Sequence, residues 1–317
     1  MEQSSIINQQ HFTFELEATL KGHTAQVTPL LLFNDNILVS GSNDNIIKIW
    51  DLNTNECKGT LKGHHGPIND IIKVGDNTLV SCSHDSSIKF WDINSYTMIH
   101  TIDHAQGGQI YALCLIKNKK ILLSCSVDTT IKAFNIDNYE TLFILKSPFV
   151  NVALMCLTHI ISPKGVYKDN NIIATGTFFG RGILWNLSSK QIITTLNCGF
   201  AAITSIKQFP TDRTKMLTAS YKKYIRVWNI ITYELLTEIQ FSPNINWMIC
   251  SCLIDDDTLI CGSGANGLTI FKVGQASGYV SSIKDGSCFY SIIKDSKGGI
   301  IGGTSDNLIK IYKPSLQ

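Results

Sequence analysis

The stretch LKGH (Leu20–His23) with LVSGSNDNIIKIWD (Leu38–Asp51) is answered by LKGH (Leu61–His64) with LVSCSHDSSIKFWD (Leu79–Asp92), and 41 residues separate both Trp50 from Trp91 and His23 from His64. Outward from this pair, a third copy closes on LLSCSVDTTIKAFN at Asn135, and weaker ones close on GILWN, YIRVWN, GLTIFK and LIKIYK. The anchors Trp50, Trp91, Phe134, Trp185, Trp228, Phe271 and Tyr312 recur at spacings of 41, 43, 51, 43, 43 and 41 residues, which makes seven units. A sustained period of this length marks an array of like units, each burying its apolar face against the next.

Within a unit, short runs of Ile, Val, Leu and Thr alternate with clusters of Gly, Ser, Asn and Asp, the pattern of strands and turns. In NIIKIWD the apolar Ile47 and Ile49 flank Lys48, so one face of that strand is buried and the other carries a charge toward solvent. No segment reads as an amphipathic helix. The one long interval holds THIISPKGVYKDNN (Thr158–Asn171), whose polar residues, Pro163 and Gly165 predict an enlarged loop between two strands.

Composition narrows the function. The chain has 317 residues, of which 44% are hydrophobic and only 16% charged, in keeping with many half-buried strands. Lys and Arg number 27 against 25 Asp and Glu, so no strong field favours nucleic acid or an anionic membrane. The start, MEQSSIINQQ, has no apolar run of signal-peptide length, and no later stretch approaches the roughly 18 to 20 apolar residues of a membrane span. A soluble protein of the cytoplasm or nucleus is expected, without membrane insertion. Ten cysteines in 317 residues are too sparse for a disulfide framework. Cys82 and Cys125 fall where Gly41 falls, and Cys114 and Cys156 sit in apolar runs, as buried thiols do.

The GH and WD pairs at this period resemble the WD-repeat family over roughly residues 12 to 313. The resemblance implies an all-β, seven-bladed β-propeller of four-stranded antiparallel blades around a central channel. It also implies a stabilising polar chain in each blade: His23, Ser40, Asp44 and Trp50 in the first, His64, Ser81, Asp85 and Trp91 in the second, and His104, Ser124 and Asp128 in the third. Buried carboxylates and indole N–H groups need such partners. Later blades hold Thr175, Phe179 and Trp185; Thr218, Lys222 and Trp228; Cys261, Ala265 and Phe271; and Gly302, Asp306 and Tyr312, so apolar packing is expected to hold them. FTFELEATL (Phe12–Leu20) precedes the first GH as CKGTL precedes the second, and is expected to close the ring as the outer strand of the last blade. The domain organisation is then a flexible tail over residues 1–11 and a single propeller domain over 12–317.

No phosphate-binding glycine loop, H-E-x-x-H or G-x-S-x-G motif occurs, and no enzyme, cofactor or metal site is expected. His64 and His65 point to opposite sides of an extended chain. Cys250 and Cys252 share a strand face but supply too few ligands for zinc, so packing explains them.

In such propellers partners usually dock on the face formed by the loops entering each first strand and the turns joining second to third strands. The residues after the first-strand anchors are Thr28, Asn69, Tyr111, Ala153, Thr204 and Tyr290; those before the turn aspartate or its equivalent are Asn43, His84, Val127, Phe178, Tyr221, Gly264 and Ser305. The only arginines, Arg181, Arg213 and Arg226, miss these positions, which disfavours capture of a phosphopeptide by an arginine cluster. FFGR (Phe178–Arg181) and YKKYIR (Tyr221–Arg226, with Lys222 and Lys223) combine aromatic and basic groups suited to an interface. Against this stand Phe179 as core and Arg226 as a solvated strand charge. Trp247 is a second candidate, more simply a packed strand residue. The expected role is a noncatalytic scaffold or adaptor for other proteins, a monomeric propeller within a larger complex. The alternative is substrate recognition for a ubiquitin ligase, against which stand the missing W-D-x-R sequence and the absence of a helical segment before the propeller.

Overall fold

A computed structural model describes residues 13–163, 171–221, 224–240, 248–264, 267–273 and 279–315. Seven four-stranded antiparallel sheets form a ring of blades. Blade one runs from Val27–Asn34 through Ile37–Ser42 and Ile47–Asp51 to Glu56–Leu61, and the pattern repeats around the ring. The first strands contact one another at the centre. The second strands, such as Ile172–Thr177, are buried along their whole length, because a blade lies against each of their faces. The fourth strands are the exposed outer edge, and Glu56, Cys57 and Lys58 are all exposed there.

The apolar side chains gather into seven clusters, one at every blade-to-blade interface. Val39, Ile47, Ile49 and Leu61 of blade one pack with Ile68, Leu79 and Trp91 of blade two. The interface between the last and first blades is built the same way, from Leu20, Ile301, Ile309 and Ile311 against Val27, Leu38 and Trp50. Leu20 belongs to the closing strand, Thr13–Lys21, which pairs antiparallel with Leu308–Ser315 in a register that sets Leu20 opposite Ile309. The N-terminal segment therefore supplies the fourth strand of blade seven and removes the open edge of the ring.

The enlarged loop falls between the first strand (Leu154–Ile160) and second strand of blade four, and its residues 164–170 lie outside the described residues. So does the N-terminal tail, residues 1–11. The one helical turn among the described residues is Lys117–Lys119, and no helix there is long and apolar enough to cross a membrane.

Candidate functional site

Within blade one the Trp50 indole donates to Ser40 Oγ at 2.8 Å, Ser40 meets His23 Nε2 at 2.7 Å, and His23 Nδ1 meets Asp44 at 2.9 Å. The carboxylate offers only acceptors, so Nδ1 carries the ring proton and Nε2 accepts from the serine hydroxyl. Blade two repeats this with Trp91, Ser81, His64 and Asp85 at 2.8, 2.7 and 2.8 Å. Burial works to raise the Asp44 carboxyl, but hydrogen bonds from His23 and the Thr24 N–H outweigh it and bring its pKa down to about 2. Asp85 is lowered in the same way, while burial holds His64 below the ordinary imidazole value against the pull of Asp85. The chain thus ties the loop entering each first strand to the turn between second and third strands.

Blade three departs from the expectation at His104, which is exposed, has a left-handed φ of 49°, and takes no part in the chain. Gln106 occupies the place instead: its amide donates to Ser124 Oγ at 2.7 Å and its carbonyl accepts from Thr130 at 2.9 Å. Asp128 accepts from the Gly107 N–H. His23 and His64 each lie four residues before their anchors Val27 and Ile68, and the same count back from Ile110 reaches Gln106. Blades four and five are also less purely apolar than expected, since Trp185 donates to Thr175 at 3.0 Å and Trp228 to Thr218 at 2.9 Å. In blade seven Asp285 accepts from both Lys310 and the Tyr312 hydroxyl, and Ser287 donates to Asp306. This polar cluster replaces histidine and indole altogether.

The site-facing side chains owe their direction to a bulge. In every blade the first strand shifts register just after its buried anchor, and such an irregularity re-aims a side chain. The residues so placed are Thr28, Asn69, Tyr111, Met155, Thr204, Ile249 and Tyr290, which together line a channel cavity of about 280 Å³. Met155 stands where the sequence suggested Ala153, because the anchor of blade four is Leu154 and not Val152. Asn69 is engaged with the Ile110 carbonyl at 2.7 Å and Thr28 with that of Ile68 at 2.6 Å, so both bridge neighbouring blades. Tyr111 donates to Gln109 and meets the edge of His84 at a ring separation of 5.9 Å, and Asn43 donates to Gln26 at 3.1 Å.

Antiparallel order puts the start of each first strand, the second-to-third turn and the end of each fourth strand at one end of the ring. Backbone bonds lock these loops: Asn43, His84, Val127, Phe178, Tyr221 and Ser305 each donate to the carbonyl preceding an anchor, at 2.8–3.0 Å. At blades four and five this end is apolar and open, with Phe200 94%, Val150 81%, Phe179 57%, Phe178 49% and Tyr221 37% exposed. Phe178 and Phe179 meet edge to face, 5.2 Å between ring centres. Gly180 holds a φ of 73°, and a Cβ there would lie 2.5 Å from the Gly199 carbonyl, so glycine alone lets the two loops meet. Cys198 N donates to Gly180 O, which joins the Phe178–Phe179 turn to the Phe200 loop.

Phe179 is thus surface and not core. Arg226 is not the solvated charge that its alignment with Lys48 and Lys89 suggests: its side chain is largely buried and paired with Glu238 at 2.6 Å. Arg181, half-buried, opens the third strand of blade four. Lys222, Lys223 and Trp247 lie outside the described residues. Phe200 and Val150 escaped the sequence reading because apolar residues at a strand entrance read as core. Their loop composition, CGFAA and PFVNVA, is the signal that was available.

All ten cysteines are unpaired. Burial pushes the Cys114 and Cys156 thiols up to about 12, which makes them poor nucleophiles. Cys250 and Cys252 pack in the core between blades six and seven. Among the described residues no group of three His, Cys, Asp or Glu side chains is arranged to hold a metal ion.

The WD domain, G-beta repeat family matches residues 14–51, 55–92, 96–135 and 190–229. Each matched repeat starts on the fourth strand of one blade and ends on the third strand of the next, the offset that ring closure requires. A bromodomain and WD repeat-containing protein of Dictyostelium discoideum is 41% identical over 46 residues, which cover 14% of this chain and 2% of that protein. Repeat period, polar chains, shared anchors and closed ring agree, and the chain belongs to the WD-repeat family as a seven-bladed β-propeller.

Proposed function

We propose that this chain is a noncatalytic scaffold or adaptor, a single propeller that binds other proteins through the loop-bearing end of the ring and works within a larger assembly. The observation that carries the reading is the open group of Val150, Phe178, Phe179, Phe200 and Tyr221 on loops whose backbone is hydrogen-bonded in place. Exposed aromatics on a rigid platform lose little entropy on binding and make effective anchors. WD-repeat propellers in general bind other proteins, which supports the same reading, and ten unpaired thiols suit a reducing compartment such as the cytoplasm or nucleus.

Affinity purification of the full chain from native cells tests this. The proteins recovered with the wild type should be lost with a Phe178→Ala, Tyr221→Ala double variant that melts at the wild-type temperature. Unchanged recovery by that folded variant would sink the proposal.

A further inference from the structure

The loop-bearing end of the ring is chemically divided. In blades seven, one, two and three the second-to-third turn holds Asp306, Asp44, Asp85 and Asp128. Phe179 takes that place in blade four. The loops 147–153, 178–181 and 197–202 contain no carboxylate. Glu238, on the fourth strand of blade five, is already paired with Arg226. Arg181 has no ion-pair partner among the described residues, and Arg226 Nη1 is buried there without an acceptor. Cys198 lies at the base of the Phe200 loop; burial raises its thiol, and the positive charges of Arg226 and Arg181 oppose that rise.

Val150, Phe178, Phe179, Phe200 and Tyr221 together expose on the order of 500 Å² of mostly apolar side chain, as large as the patches that mark interaction sites. Apolar anchors beside the unpaired guanidinium of Arg181 call for a ligand with the opposite endowment. We infer that this sector of blades four and five, to one side of the channel mouth, docks an acidic segment of a partner protein bearing at least two bulky apolar side chains. The inference rests on the scaffold reading above and names the class of partner. A nucleic acid strand would need a row of cations along its phosphates, whereas the described loops of this sector offer the single cation Arg181. A second copy docked by a two-fold axis would set like charge against like.

The test is a selection of phage-displayed random 12-residue peptides on the immobilised full chain, followed by fluorescence anisotropy on the selected peptides. Net-negative sequences with two or more of Phe, Leu, Ile and Trp should be enriched. Phe200→Ala should weaken their binding about tenfold or more, Arg181→Glu should weaken it again, and Lys117→Ala, at the opposite end of the ring, should leave it within about twofold. Neutral or basic winners, or no enrichment, would overturn the inference. So would Phe200-dependent binding of a 20-mer oligouridylate, or a dimer in sedimentation that Phe200→Ala dissolves. If Tyr111→Ala at the channel mouth abolishes binding while Phe200→Ala does not, the inference falls and the scaffold reading stands.

Discussion

A hydroxyl at the second-strand position decides how a blade holds its tryptophan. Ser40 accepts the indole proton and passes its own to His23, so one small side chain satisfies two buried groups. Removing a partner from such a site leaves a desolvated orphan at a cost of about 1–3 kcal/mol. Gln106→Ala should therefore lower stability by about that amount, and His104→Ala should stay within about 0.5 kcal/mol, the usual effect of a surface change. Chemical denaturation of the two variants measures both, and equal losses would contradict the assignment of Gln106. Ser40, Asp44 and Trp50 were legible because the repeat spells them out. Gln106 was not, since a histidine two residues upstream imitates the expected one and only the count back from Ile110 separates them. The same residues govern acid stability. The Asp44 carboxyl is lowered to about 2 in the folded chain against about 3.9 unfolded, so its contribution is present above pH ~4 and lost as pH falls toward 2. In Asp44→Asn the melting temperature should fall less steeply over that interval than in the wild type; an unaltered slope would contradict the assignment.

Strands show the same division between what spacing reveals and what contacts decide. The closing strand could be read in advance because FTFELEATL repeats the phase of CKGTL, and its pairing with Leu308–Ser315 follows. Leu20 is buried against Ile309 and Ile311 at the last interface. Leu20→Asp would bury an unpaired charge there, a change in the class that costs several kcal/mol. Hydrogen exchange should then rise first in Thr13–Lys21 and Leu308–Ser315, with blade three still protected. A uniform rise across all blades would show that closure is not held locally by this strand pair. The bulge after each anchor was invisible to the period, because a shift of one residue changes no composition. It is nonetheless what turns Met155, and not Ala153, into the channel. In the same way the left-handed Gly180 lets the Phe178–Phe179 turn settle on the Phe200 loop.

Over the whole molecule the ring is uneven, though its seven interfaces are alike in their apolar packing. Blades one to three spend polar residues on tying loops to turns, blades four and five keep the indole-to-threonine bond and expose aromatics, and blade seven uses Asp285, Lys310 and Tyr312. The architecture was legible in the repeat, even for blades whose sequences had drifted, because the apolar anchors of the strands survive where the polar motif does not. The open sector was legible only in part. FFGR and YKKYIR drew attention through their chemistry, but exposure is set by how loops lie, and Phe200 and Val150 carry no motif. The central claim is that these aromatics serve binding and not the fold, and the melting temperature of a Phe178→Ala, Phe200→Ala double variant tests it most directly. It should match the wild type within about 2 °C, the shift that about 1 kcal/mol produces in a chain of this size, while Trp50→Phe melts several degrees lower. A loss in the double variant as large as that of Trp50→Phe would make the aromatic sector part of the core and contradict the claim.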